Sequence, residues 1–171
     1  MVDYPVPKTQ IDTLKGIIEG FYEAGEVGEL VEEEDVEEES EYGIDVISRQ
    51  KKFLADIGIL DKDGYDYTLL EPGKQIGRAL AFDRESEAKE HFANLLDDWD
   101  VTSQLEEDLG EEVHDREEVL DSLAFISETD LSNRRNKTGL SALVDIYEWL
   151  GIISTNSDNE YYISNPHAQQ D

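Results

Sequence analysis

Of the 14 basic residues in this 171-residue chain, six fall in two short stretches, Arg49-Gln50-Lys51-Lys52 and Asn133-Arg134-Arg135-Asn136-Lys137. Arg and Lys neutralise phosphates, and Arg can also hydrogen-bond the guanine edge. Gln50, Asn133 and Asn136 would add polar bonds to bases. The chemistry on offer is recognition of a polyanion rather than the making or breaking of bonds.

No other constellation competes. His91, His114 and His167 stand far apart and show no metal-ligand spacing such as H-x-x-x-H. Cysteine is absent, which excludes disulfides, zinc fingers and thiol chemistry. Asp61-x-Asp63-Gly64 faintly resembles the start of a calcium loop, but Pro72 occupies the position of the closing glutamate. There is no phosphate loop, no G-x-G-x-x-G and no G-x-S-x-G. With 43 acidic residues, paired carboxylates carry no information about acid–base catalysis. The sequence therefore predicts a binding module and not an enzyme, with no catalytic residue, metal or cofactor.

The elements that must position the two basic stretches can be read from apolar spacing. Ile11, Leu14, Ile17, Ile18, Phe21 and Tyr22 predict an amphipathic helix over 8–23, closed by Gly25. Residues 27–41 place Val27, Leu30, Val31 and Val36 among acids, either as a short helix or as a loose acidic loop. Val46, Ile47, Phe53, Leu54 and Ile57 predict a helix over 44–57 that carries the first basic stretch, with Gly58 as its stop. Ile59-Leu60, an Asp61-Lys62-Asp63-Gly64 turn and Tyr65–Leu69 then read as a β-hairpin. Further helices are expected over 72–82, 85–99, 101–114, 115–128 and 137–150. A second hairpin follows, Ile152-Ile153 and Tyr161-Tyr162-Ile163 around a turn at Thr155–Asn159.

The plan repeats. A shift of 93 positions lays Ile47 on Leu140, Phe53 on Ile146, Leu54 on Tyr147, Ile57 on Leu150, Gly58 on Gly151, and Ile59-Leu60 on Ile152-Ile153. The basic stretches do not superimpose under this shift; they are offset by about two helical turns. Trp99, Trp149, Tyr147 and Tyr22 are expected to fill the core and the contacts between units. Tyr65, Tyr67, Tyr161 and Tyr162 lie on the hairpins, where an exposed one could touch a partner.

Residues 44–80 resemble a common archaeal winged-helix pattern: a recognition helix, an Ile-Gly-Ile-Leu stop, a wing, and then Glu-Pro-Gly-Lys-Gln-Ile-Gly-Arg-Ala-Leu. Residues 133–163 resemble a second winged helix, similar to those appended to archaeal ATPases and restriction-associated proteins. These motifs cover about half the chain and specify fold more than function. The resemblance implies a mainly α fold with small β-hairpin wings, as two winged helix-turn-helix units joined by a helical bridge. The expected bounds are 1–82 for the first unit, 83–114 for the bridge, 115–165 for the second unit and 166–171 for a flexible tail. It also implies double-stranded DNA as partner, with the third helix of a unit in the major groove. On that reading the DNA-binding residues are Asn133, Arg134, Arg135, Asn136, Lys137, Arg49, Gln50, Lys51 and Lys52, in a transcriptional regulator or architectural factor. The acidic 32–39 run departs from the usual second helix, which leaves unit two as the better reader. A protein-interaction adaptor using the acidic 27–41 segment, and an acidic DNA mimic, are the alternatives; a homodimer is compatible with either.

The net charge of −29 resembles the acidity of salt-adapted archaeal proteins, since acid is spread through nearly every segment. Strong apolar periodicity argues against a disordered acidic chain. No apolar run approaches the roughly 18 residues that would suggest a membrane span. The first eight residues lack a signal pattern, so a cytoplasmic location is expected.

Overall fold

A computed structural model describes residues 7, 10–25, 30–31, 33–40, 42–63 and 66–163. The expected helix start at Lys8, Val27, the hairpin tip Gly64-Tyr65 and the 166–171 tail lie outside the described residues. The protein is mainly α, with small antiparallel sheets.

Unit one runs α1 (Ile11–Ala24), β1 (Leu30–Val31), α2 (Glu33–Ser40), α3 (Ile44–Asp56), β2 (Leu60–Asp63), β3 (Asp66–Leu69) and α4 (Glu71–Ala81). The hairpin pairs Leu60 with Leu69 and Asp61 with Thr68. The acidic segment that the sequence left between helix and loop is a two-residue strand followed by a helix. Leu30 and Val31 pair antiparallel with Thr68 and Tyr67, giving the strand order β1-β3-β2. That is the connectivity of a winged helix-turn-helix unit. Val31 and Val36 turn inward and anchor this acidic stretch to the core. Apolar periodicity alone could not show the strand, because two residues have no period.

α1 and α4 cross closely, and Gly77 permits it. A Cβ at Gly77 would lie 2.5 Å from Tyr22 Cβ and 3.2 Å from the Ile18 carbonyl oxygen. Gly73, one turn earlier on the same face, is as tight against the Ile59 carbonyl, at 2.5 Å. The Gly-x-x-x-Gly spacing in the Glu71–Leu80 motif is therefore a packing device that seats α4 against α1 and the sheet.

Two helices follow, α5 (Glu85–Asp97) and α6 (Asp100–Leu109), then α7 (Arg116–Ser127), α8 (Arg134–Leu150), β4 (Ile153–Thr155) and β5 (Tyr161–Ile163). The repeat goes deeper than the aligned residues suggested. α6 packs on α7 and β5. His114 forms a one-residue bridge to Tyr161, its N–H donating to the Tyr161 carbonyl at 2.8 Å and its carbonyl accepting the Tyr161 N–H at 2.6 Å. Unit two thus has helix, bridge, helix, helix and hairpin, with α6 as first helix and His114 in the place of β1. α6, which lies within the expected 83–114 bridge, packs against α5 as well as against α7 and β5. The third helices of both units end in a left-handed glycine, Gly58 at φ 94° and Gly151 at φ 78°.

α7 is started by a capping box. The Asp115 carboxylate accepts the Glu118 N–H, and the Glu118 carboxylate accepts the Asp115 N–H. Beside it, His114 Nε2 lies 2.8 Å from the Leu109 carbonyl at the end of α6, and Nδ1 lies 3.5 Å from Glu118. The bond to Leu109, followed by the Glu118 and Glu112 carboxylates, raises the His114 pKa above its ordinary 6.5. A raised folded-state value means that the stabilisation is full below pH 6.5 and is lost as pH rises through the folded pKa. At fixed salt, the urea midpoint should therefore fall between pH 6 and pH 8.5, and His114→Gln should flatten that fall. An unchanged pH profile in the variant would remove His114 as its source.

Candidate nucleic-acid interface

The second basic stretch is the first turn of α8. Asn133 is the N-cap, and its side-chain oxygen accepts the Asn136 N–H at 3.2 Å. The Asn136 amide donates to the Asp130 carbonyl at 3.2 Å. Asp130 in turn accepts the Ser132 N–H and hydroxyl at 2.9 and 2.7 Å. Those two bonds hold its carboxyl below the usual range. This turn fixes the direction from which α8 begins. Both asparagines are thus occupied as local staples, which explains their spacing better than base contact does.

Arg134, Arg135 and Lys137 are exposed, and none forms an ion pair with a described residue. They stand where the unpaired N–H groups and positive end of the helix dipole also favour an anion. The surface is concave on both sides. An open hollow of about 830 Å³ is bounded by Asn133–Asn136 and Thr138. A groove of about 600 Å³ runs between Arg134, Lys137 and Thr138 of α8, the Gln10–Asp12 start of α1, and Arg116 of α7.

Arg116 was not singled out by its sequence context, and it organises this side of unit two. Its guanidinium donates to the Tyr161 hydroxyl at 3.0 Å, the Ser141 hydroxyl at 2.6 Å and Asp145 at 3.1 Å. One side chain therefore ties α7, α8 and the hairpin together. Tyr161 is buried by this arrangement, so it is not the exposed hairpin tyrosine that could touch a partner. The hairpin tip of unit two carries Asp158 and Glu160, with Asn156 Oδ1 accepting both of their N–H groups. An acidic wing of this kind offers phosphate nothing.

The first basic stretch is divided by the helix it sits on. Arg49 and Lys52 are exposed, but Gln50 is fully buried and Lys51 is only 7% exposed. The Gln50 amide donates to the Val46 carbonyl at 3.0 Å within α3. Helical geometry explains the correction. Gln50 and Lys51 flank the side of Ile47 and Leu54, whereas Arg49 and Lys52 lie about 150° round the helix, on its outward face. The surface cluster expected at 49–52 is reduced to two exposed cations three residues apart, Arg49 and Lys52, and α2 beside it exposes Glu34, Asp35, Glu37 and Glu38. No described ion pair joins Arg49 to Asp45 or Lys52 to Asp56. Among the described residues no group of three or more His, Asp or Glu is placed to hold a metal. No helix there is long and apolar enough to cross a membrane.

Fold and site together define a mainly α chain of two helix-and-hairpin units, in which one third helix begins with exposed cations. No protein family, curated protein or solved structure matches it.

Proposed function

We propose that this protein binds double-stranded DNA through the N-terminal turn of α8, as a transcriptional regulator or architectural factor adapted to high salt. The observation that carries the reading is the trio Arg134, Arg135 and Lys137, exposed and without an ion pair to any described residue, on the third helix of a winged unit. In winged helices that helix enters the major groove with its N-terminal residues toward the bases. A chain of net charge −29 gains nothing from long-range attraction to phosphate. Its contacts must be short-ranged and few, which suits a salt concentration at which long-range attraction is screened in any case. Unit one contributes fold and packing rather than readout, since half of its basic stretch is buried. Its acidic α2 supports a second reading, in which that unit docks a protein.

The test is selection from a random 20-base-pair library at 0.5 M KCl, followed by titration of the enriched duplex. With three cations, log K against log salt should have a slope no steeper than about −3, at roughly −0.9 per phosphate contact. Arg134→Ala with Arg135→Ala should weaken binding by about tenfold or more and flatten the slope by about 2. No enriched sequence, or equal binding by the double variant, would sink the proposal.

A further inference from the structure

The outward face of α7 carries the most exposed large apolar side chain among the described residues, and that residue interrupts an otherwise acidic surface. Phe125 is 84% exposed. The rest of α7 is ordinary: Val119, Leu120, Leu123 and Ile126 all turn into the core. Phe125 belongs to a different stripe, Glu118, Asp121 and Phe125, spaced three or four residues apart and exposed throughout, with the exposed Glu128 just beyond it as the left-handed C-cap of α7. Across the neighbouring edge, the Ser122 hydroxyl donates to Asp108 of α6, which places a further carboxylate beside the stripe. A lone exposed aliphatic residue would need no account, but a phenyl ring 84% exposed on a helix stripe that otherwise carries carboxylates is a different surface.

We infer that this face of α7 docks a basic protein segment that presents an apolar pocket or face to Phe125. Charge selects the occupant. A nucleic acid is excluded because Glu118, Asp121 and Glu128 would meet its phosphates. A second copy of this chain is disfavoured because two-fold pairing sets the same patch against itself, opposing carboxylate to carboxylate. A segment in which Lys or Arg alternate with Leu or Ile at helical spacing matches both features. Its cations would pair with Asp121 and Glu128 while its apolar side removes Phe125 from water. The surface is distinct from the α8 turn, so this inference goes beyond the proposed DNA reading and stands or falls separately from it.

The probe is a fluorescent 16-residue amphipathic Lys–Leu helix, with a Lys–Ser peptide of the same charge as control, titrated by anisotropy in 0.5 M KCl. The wild-type protein should prefer the Lys–Leu peptide by about tenfold or more, the worth of burying a large apolar side chain. Phe125→Ser, at a site exposed enough to leave the fold intact, should bring that preference to within about twofold. Asp121→Lys with Glu128→Lys should weaken binding of both peptides, and Phe82→Ser, at another exposed aromatic, should change neither. If Phe125→Ser retains the preference, or Phe82→Ser abolishes it, the inference is overturned. It is equally overturned if sedimentation shows a wild-type dimer that Phe125→Ser dissociates, since the occupant is then a second copy. Arg134→Ala with Arg135→Ala should leave peptide binding unchanged, and Phe125→Ser should leave duplex binding unchanged.

Discussion

Trp99→Ala should destabilise the protein by about 3–5 kcal/mol, the range for deleting a buried aromatic side chain. Trp99 sits at the corner between α5 and α6 and is 5% exposed. Its indole N–H donates to Asp56 at the end of α3 at 2.7 Å, and its ring meets Phe53 edge-on at 5.5 Å between centroids. One side chain therefore joins the third helix of unit one to the start of unit two. A second tryptophan closes the other side: Trp149 of α8 donates to Glu85 of α5 at 3.0 Å and lies under Lys15 of α1 at 4.7 Å. The Trp149 bond, then Lys15, holds the Glu85 carboxyl below its usual range. Neither unit spans 80 residues, a size at which one core is only marginally stable, so each relies on the other. At roughly 2–4 °C per kcal/mol for a chain of this size, Trp99→Ala should lower Tm by about 10 °C and split the melt into two transitions. Trp99→Phe keeps most of the apolar volume and should cost only about 1 kcal/mol, because Asp56 is exposed and water replaces the lost donor. A single sharp transition near the wild-type Tm in Trp99→Ala would show that the units are not coupled at this corner.

The helices were legible in the sequence because each buries a continuous apolar stripe, and stripes of that length have a measurable period. α3, α8 and their glycine stops appeared in the repeat alignment for the same reason. What stayed hidden had no period. β1 is two residues long, and its counterpart in unit two is the single residue His114, identified by pairing across the fold and not by neighbours in sequence. The packing of α6 against α7 and β5 was not legible for the same reason, because α6 carries no motif and its role depends on what it touches. The basic stretch at 134–137 was legible as surface because it precedes the apolar run of α8. At 49–52 residue type misled: a lysine's charge suggested exposure, while its place on the helix turned Lys51 inward. Phe125 lies off the stripe formed by Val119, Leu120, Leu123 and Ile126, and that displacement was the available sign of its exposure.

Raising KCl from 50 mM to 2 M should raise Tm by more than about 10 °C, which at 2–4 °C per kcal/mol corresponds to roughly 3–5 kcal/mol. The cause is the net charge of −29, held at close quarters only in the folded state. The acids are not neutralised by a matching set of bridges. The described pairs are partly exposed, whether they join distant elements, as Lys15 with Glu85 at 3.2 Å, or lie within one turn, as Arg84 with Glu87 at 3.8 Å. Exposed pairs of this kind are worth under about 1 kcal/mol each, so screening them costs less than screening the repulsion gains. At 50 mM salt the Debye length exceeds 10 Å, and carboxylates on neighbouring elements repel; near 1 M it is about 3 Å, and only adjacent side chains do. The repulsion should be strongest along α2, where Glu34 and Glu38 are exposed one turn apart. Such a like-charge pair costs an isolated helix a few tenths of a kcal/mol, before its neighbours Asp35 and Glu37 are counted. Glu34→Gln with Glu38→Gln should therefore recover part of the salt gain at 50 mM KCl and add nothing at 2 M. Circular dichroism melts of both proteins at both concentrations decide it. A Tm in 50 mM KCl equal to that in 2 M would mean that the fold does not feel its own charge. A gain from the double substitution that persisted at 2 M would place its origin in helix propensity instead of screening.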